Sequence, residues 1–111
     1  MARLLILASV LATMSSTISM AASVTVAGRI VRTQGHTSPS CRTVSLRNTS
    51  GSIMLFRIQQ SSPGVDDTIA ATALTAVATG YPVLISYDPA ITSGCGAEPR
   101  IDWIEIQSPN Q

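Results

Sequence analysis

The chain contains no lysine, so its basic charge rests on seven arginines, with one histidine. Six acids stand against them and leave a formal net charge of only +1. A protein that tracks a nucleic-acid backbone needs a basic groove with interleaved aromatic rings. That excess is missing, and the aromatics are limited to Phe56, Tyr81, Tyr87 and Trp103, so nucleic acid is not an expected partner. Metal-ligand spacings are missing too: no Cys-x-x-Cys occurs, and His36 is the single histidine. No metal or other cofactor is expected. Hydrolytic catalysis needs a nucleophile, a base and an orienting group in contact. No strand-turn-helix elbow surrounds any serine, no glycine-rich phosphate loop is present, and the paired carboxylates Asp66 and Asp67 belong to a helix start. The chain reads as a non-enzyme.

A membrane-spanning run is also lacking. The apolar stretch Leu4 to Met14 is too short to cross a bilayer. It follows the basic start Met1-Ala2-Arg3 and precedes Ser19-Met20-Ala21, which fits the small-x-small rule for signal peptidase. Residues 1–21 are therefore expected to be a cleaved signal peptide and residues 22–111 a single domain, secreted or periplasmic, with no membrane span in the mature chain. The competing reading, an apolar first helix packed in the core, is weakened by the absence of an amphipathic period. Cleavage removes Arg3 and leaves six arginines (Arg29, Arg32, Arg42, Arg47, Arg57, Arg100) against six acids (Asp66, Asp67, Asp88, Glu98, Asp102, Glu105). A domain of this size has an adequate but not generous core. Its two cysteines, Cys41 and Cys95, are most simply read as one disulfide formed outside the cytoplasm. Closing so long a loop is worth about 4 kcal/mol if the bridge is unstrained.

Val24 to Thr33 alternates as a half-buried strand, and Gly28 within it suggests a corner where a long first strand serves both halves of a small barrel. Gln34 to Ser40 is a polar loop. Arg42–Asn48 and Ser52–Gln59 flank Thr49-Ser50-Gly51 and read as a hairpin, with Val44 and Leu46 inward. Its second strand is apolar on both faces, through Ile53, Met54, Leu55, Phe56 and Ile58. Either another subunit or the helix covers its second face. Asn48-Thr49-Ser50 is formally a glycosylation sequon, but it reads better as turn chemistry.

Gln60 to Val65 carries a Pro-Gly turn leading to Asp66 as helix cap, and the helix runs to Thr79 before Gly80 ends it. Its expected apolar stripe is Ile69, Ala73, Leu74 and Val77, with threonines at 68, 72, 75 and 79 on a milder face. No charge follows Asp67, so either neighbouring copies of the helix cover it or it packs tightly in a monomer. Val83–Tyr87 reads as a fourth strand ended by Asp88-Pro89, Ala90–Arg100 as a loop carrying Cys95, and Ile101–Gln107 as the last strand. The fold class is mainly β. The order β-β-β-α-β-β is that of the five-stranded Greek-key oligomer-binding (OB) barrel, with its helix between strands three and four.

Two groups of residues suggest binding. Tyr87 and Asp88 offer a flat apolar face beside acceptor oxygens, as sugars use, although the same tyrosine suits a barrel-end core. Arg29 and Arg32 on the first strand are ligand contacts or solvated edge charges. The segments ATGYPVLISYDP, AGRIV and SLRNTS resemble corresponding stretches of the subtilase cytotoxin B-subunit family. That resemblance implies a secreted subunit with the OB fold, assembled as a ring of five around a helix-lined pore. Such a ring binds sialylated glycan receptors and delivers a separate catalytic A subunit. Tyr87 matches a sugar-contacting tyrosine of the family, whereas Ala27 stands where the family has a serine that binds sialic acid. Loss of that hydroxyl is worth on the order of 1 to 3 kcal/mol. The family's cysteine positions are only approximately kept, and the loop around His36 is shorter.

The expected function is thus a secreted, non-catalytic, toxin B-subunit-like module that recognises cell-surface glycans as a homo-oligomer. The alternative is a monomeric periplasmic domain that binds or inhibits another protein through its sheet edge. Mass spectrometry of the exported protein is expected to find a mature chain starting at Ala22. A chain retaining Met1 would remove the leader from the account.

Overall fold

The computed structural model describes residues 22–59 and 65–109. The expected leader, the Pro63-Gly64 turn and the last two residues lie outside them. Five strands close into a barrel: β1 (Val24–Gln34), β2 (Arg42–Asn48), β3 (Ile53–Ile58), β4 (Pro82–Thr92) and β5 (Pro99–Ile106). Round the barrel they run β1, β2, β3, β5, β4, and a single helix, α1 (Val65–Thr79), joins β3 to β4. A short 3-10 turn, Pro39–Cys41, leads into β2. Neighbours are antiparallel except β3 and β5, which meet in parallel through one residue pair, Arg57 and Arg100.

Strand β1 serves two partners. Its first part pairs with β4, from Val24 opposite Tyr87 to Arg29 opposite Pro82. Its second part pairs with β2, from Gly28 opposite Asn48 to Gln34 opposite Thr43. The two ladders overlap at Gly28 and Arg29, where the expected glycine corner is found. A β-carbon on Gly28 would lie 2.2 Å from the Arg47 carbonyl oxygen, so only glycine permits this approach. Between Ile30 and Arg32 the register slips by one residue, placing a bulge at Val31.

The core follows the alternation read from the strands. Val44, Leu46, Phe56, Ile58, Val83, Ile85 and Ile101 point inward and are buried. Helix α1 packs on this cluster with Ala73 and Ala76 fully buried and Ile69, Ala70 and Val77 beside them. The expected stripe is therefore corrected at one position: Leu74 is 60% exposed, and Ala76 takes its place. At 100° per residue, positions 69, 70, 73, 76 and 77 form one narrow face, and 74 falls at its border. Alanines on that face let the helix axis come close to the barrel. The helix also starts at Val65, so Asp66 and Asp67 lie in its first turn rather than capping it. The Asp67 carboxylate there favours the positive end of the helix dipole and pairs with Arg42 at 3.1 Å.

A second correction concerns β4, expected to stop at Asp88-Pro89 and in fact continuing to Thr92. The ladder to β5 is interrupted between Tyr87 and Thr92, so Pro89 sits where no amide donor is required. The Asp88 side chain bridges the interruption, its Oδ1 accepting from the Ala90 N–H at 2.9 Å.

The loop between β4 and β5 is pinned to the barrel. Cys41 and Cys95, 54 residues apart with Cα atoms 5.3 Å apart, form the expected disulfide. Arg57 adds two ties, donating to the Cys41 carbonyl at 2.7 Å and to Glu98 Oε2 at 3.3 Å. A backbone N–H, then the Arg57 hydrogen bond and charge, hold the Glu98 carboxyl below its usual range, against a smaller opposing effect of desolvation. A carboxyl depressed on folding stabilises the native state above its unfolded value, about 4.3, and loses that contribution as pH falls through its folded value. Urea unfolding of wild type and Glu98→Gln is expected to show a gap that is largest above about pH 5 and shrinks towards pH 3. A gap independent of pH would remove the ionised pair from the account.

Candidate functional site

At the opposite end of the barrel, β1, the β2–β3 turn and the start of β4 enclose a groove of about 510 Å³. The turn is built by Asn48. Its Oδ1 accepts from the Ser50 N–H, the Ser52 N–H and the Ser50 hydroxyl at 3.2, 2.9 and 2.8 Å. Gly51 closes it with φ of 88°, in the left-handed region that favours glycine. The sequon asparagine is thus an organiser of its own turn, with its side-chain oxygen occupied and its amide N–H donors without a partner among the described residues.

One wall of the groove is Ala27, Gly28, Arg29 and Val31 of β1. The facing wall is Arg47, Asn48 and Thr49, with Pro82 at the base of β4. Arg29 donates through Nη1 to the Gly80 carbonyl, at the C-terminal end of α1. Gly80 itself adopts φ of 71° and returns its N–H to the Ala76 carbonyl at 2.9 Å, so the cation sits at the negative end of a properly terminated helix. Arg47 is exposed, and its side chain makes no hydrogen bond or ion pair among the described residues. The groove therefore presents guanidinium and amide donors between apolar and side-chain-free walls. It suits a ligand with acceptor oxygens and one hydrophobic face.

The four sequence-derived binding candidates divide into two places. Ala27 and Arg29 line the groove. Tyr87 and Asp88 lie at the other end of the β1–β4 ladder, where Tyr87 pairs with Val24, five residues from Arg29. Tyr87 is 9% exposed and meets Phe56 edge to face at 4.9 Å between ring centres. Its ring is packed in the barrel end, the alternative the sequence left open. Asp88 is buried, and its Oδ2 has no partner among the described residues. His36 is exposed, its Nδ1 accepting from the Ser38 N–H at 3.0 Å. Among the described residues no cluster of histidine, cysteine and acid could hold a metal, and no helix is long and apolar enough to cross a membrane.

Sequence reading passed over Arg47, the residue directly opposite Arg29. Its outward position was legible from inward Leu46; its neighbour across the ladder depends on a register that the hairpin alone does not set. Because Gly28 lies at the centre of the groove, Gly28→Ala is expected to force β1 and β2 apart, lowering stability by about 1–3 kcal/mol in chemical denaturation. Full retention of stability would mean that the strands do not approach so closely.

Comparison with known proteins found no matching family model and no matching curated protein.

Proposed function

We propose that this chain is a secreted, non-catalytic binding module with the OB fold, which recognises cell-surface glycans through the groove between β1 and the β2–β3 turn. The observation that carries the reading is the groove itself, a donor-rich cleft with an apolar wall, at the position of Ala27. The strand order β1, β2, β3, β5, β4 with a helix between β3 and β4 supports the Greek-key OB assignment. The leader-like residues 1–21 and the Cys41–Cys95 bridge support export.

Assembly as a homo-oligomer is part of the proposal, with five copies the number implied by the resemblance to toxin B subunits. Its supports are exposed apolar side chains on the outer faces of β3 and β5: Ile53 at 54%, Leu55 at 38% and Trp103 at 44%. Strands β3 and β5 share one bridging pair, so much of each edge is free to add a strand from another chain. Leu74 on the outer side of a helix with no charge after Asp67 points the same way. A separate catalytic A subunit would be the cargo of such a ring. The same free edges favour a second reading, a monomeric periplasmic domain that captures or inhibits another protein by strand addition.

Sedimentation of the mature protein separates the two, with an oligomer expected at micromolar concentration. A monomer would overturn the ring and favour strand capture. A glycan array is expected to return binders that Arg29→Gln and Arg47→Gln weaken, and an array with no binder would overturn the receptor role.

A further inference from the structure

We propose that Arg29 and Arg47 form an oxyanion site that clamps a sulfate or phosphate ester carried on a sugar ring. This rests on the glycan reading of the same groove and adds the chemical group recognised. Its basis is the way the arginines from residue 22 onward divide. Arg42, Arg57 and Arg100 each meet a carboxylate, from Asp67, Glu98 and Asp102, at 3.1, 3.3 and 3.3 Å. Arg29, Arg32 and Arg47 meet none among the described residues, and all three are exposed along β1 and β2. A composition that is nearly neutral on average is locally basic on this face.

Within that face, Arg29 and Arg47 stand directly opposite each other in the ladder. Like charges in this arrangement destabilise a strand pair unless an anion lies between them. Paired residues are about 5 Å apart, which puts both long side chains within reach of one group lying between them. A carboxylate has two oxygens and is filled by one fork, whereas a sulfate or phosphate ester has three terminal oxygens and accepts from both. Arg29 is already held by the Gly80 carbonyl, which lowers the ordering cost of binding. The amide of Asn48 adds donors, and Val31, 45% exposed, with Pro82 gives the ring an apolar surface. The volume, about 510 Å³, is within the range of small-molecule sites.

The test is calorimetric titration of the disulfide-intact mature protein with glucose 6-sulfate, glucose 6-phosphate, glucuronic acid and glucose at low salt. At least one ester is expected to bind tenfold or more tightly than both glucose and glucuronic acid, and the stronger ester identifies the group. Arg47→Gln is expected to weaken ester binding about 10- to 100-fold without lowering the unfolding midpoint, since the Arg47 side chain makes no hydrogen bond or ion pair among the described residues. Arg32→Gln, outside the groove, is expected to change affinity less than about twofold, and salt to weaken ester binding. Equal affinity for ester and parent sugar, preference for glucuronic acid, or an Arg47→Gln variant that binds as wild type would each overturn the proposal. Titration with inorganic sulfate and phosphate, followed by amide chemical shifts, separates it from the glycan reading. Shifts around the groove that disappear in Arg47→Gln, with no sugar bound, would leave the oxyanion site standing and the glycan reading overturned. Sugars bound with no gain from the ester would do the reverse.

Discussion

The close approach of β1 to β2 at Gly28 is the constraint on which the rest of the structure depends. Strand β1 alone pairs with both β2 and β4, and its two ladders change over where a side chain would run into the Arg47 carbonyl. Closure of the barrel and the depth of the groove both follow from that contact. So does the register that sets Arg29 opposite Arg47. The bulge at Val31 comes immediately after it, and the extra residue lets the outward side chains of β1 continue along the same face.

The two ends of the barrel differ in how their charges are treated. Around the disulfide, Arg57 is tied to Glu98 and to the Cys41 carbonyl, and Arg100 to Asp102 and Gln59. These partly buried cations have local partners, as desolvation requires. At the groove end the cations are exposed, so water meets their hydration and no carboxylate is needed for stability. A ligand there meets guanidinium groups that no carboxylate occupies, whereas at the disulfide end it would have to displace charged protein groups. That difference supports placing recognition at the groove.

Helix α1 shows how size rather than hydrophobicity selects a packing face. Leu74 would bury more apolar surface than Ala76, and burial of a leucine is worth about 1.5–3 kcal/mol. It is nevertheless outside, because a close approach of helix to barrel favours the face on which Ala70, Ala73 and Ala76 fall together. The threonines on the outer surface satisfy themselves within the helix, Thr72, Thr75 and Thr79 each donating to a carbonyl four residues back. What this leaves exposed is a nearly uncharged surface with one leucine on it.

The strands, the inward pair Val44 and Leu46 and the helix between β3 and β4 were legible in the sequence, because period-two alternation and the Gly80 stop are local signals. The disulfide was legible as well, since only two cysteines were present to pair. Strand β4 was cut short because proline was read as a terminator, when an interrupted ladder has no use for its missing donor. Tyr87 was open as a ligand contact, with periodicity favouring a core residue, and the barrel placed Phe56 against it. The sequence by itself determined which segments form strand or helix and, in β2, which residues face in, since both depend on neighbours a few positions away. Only the tertiary structure decided that Arg29 meets Arg47 rather than an acid, because contacts between strands are set by barrel closure and register, which no local pattern encodes.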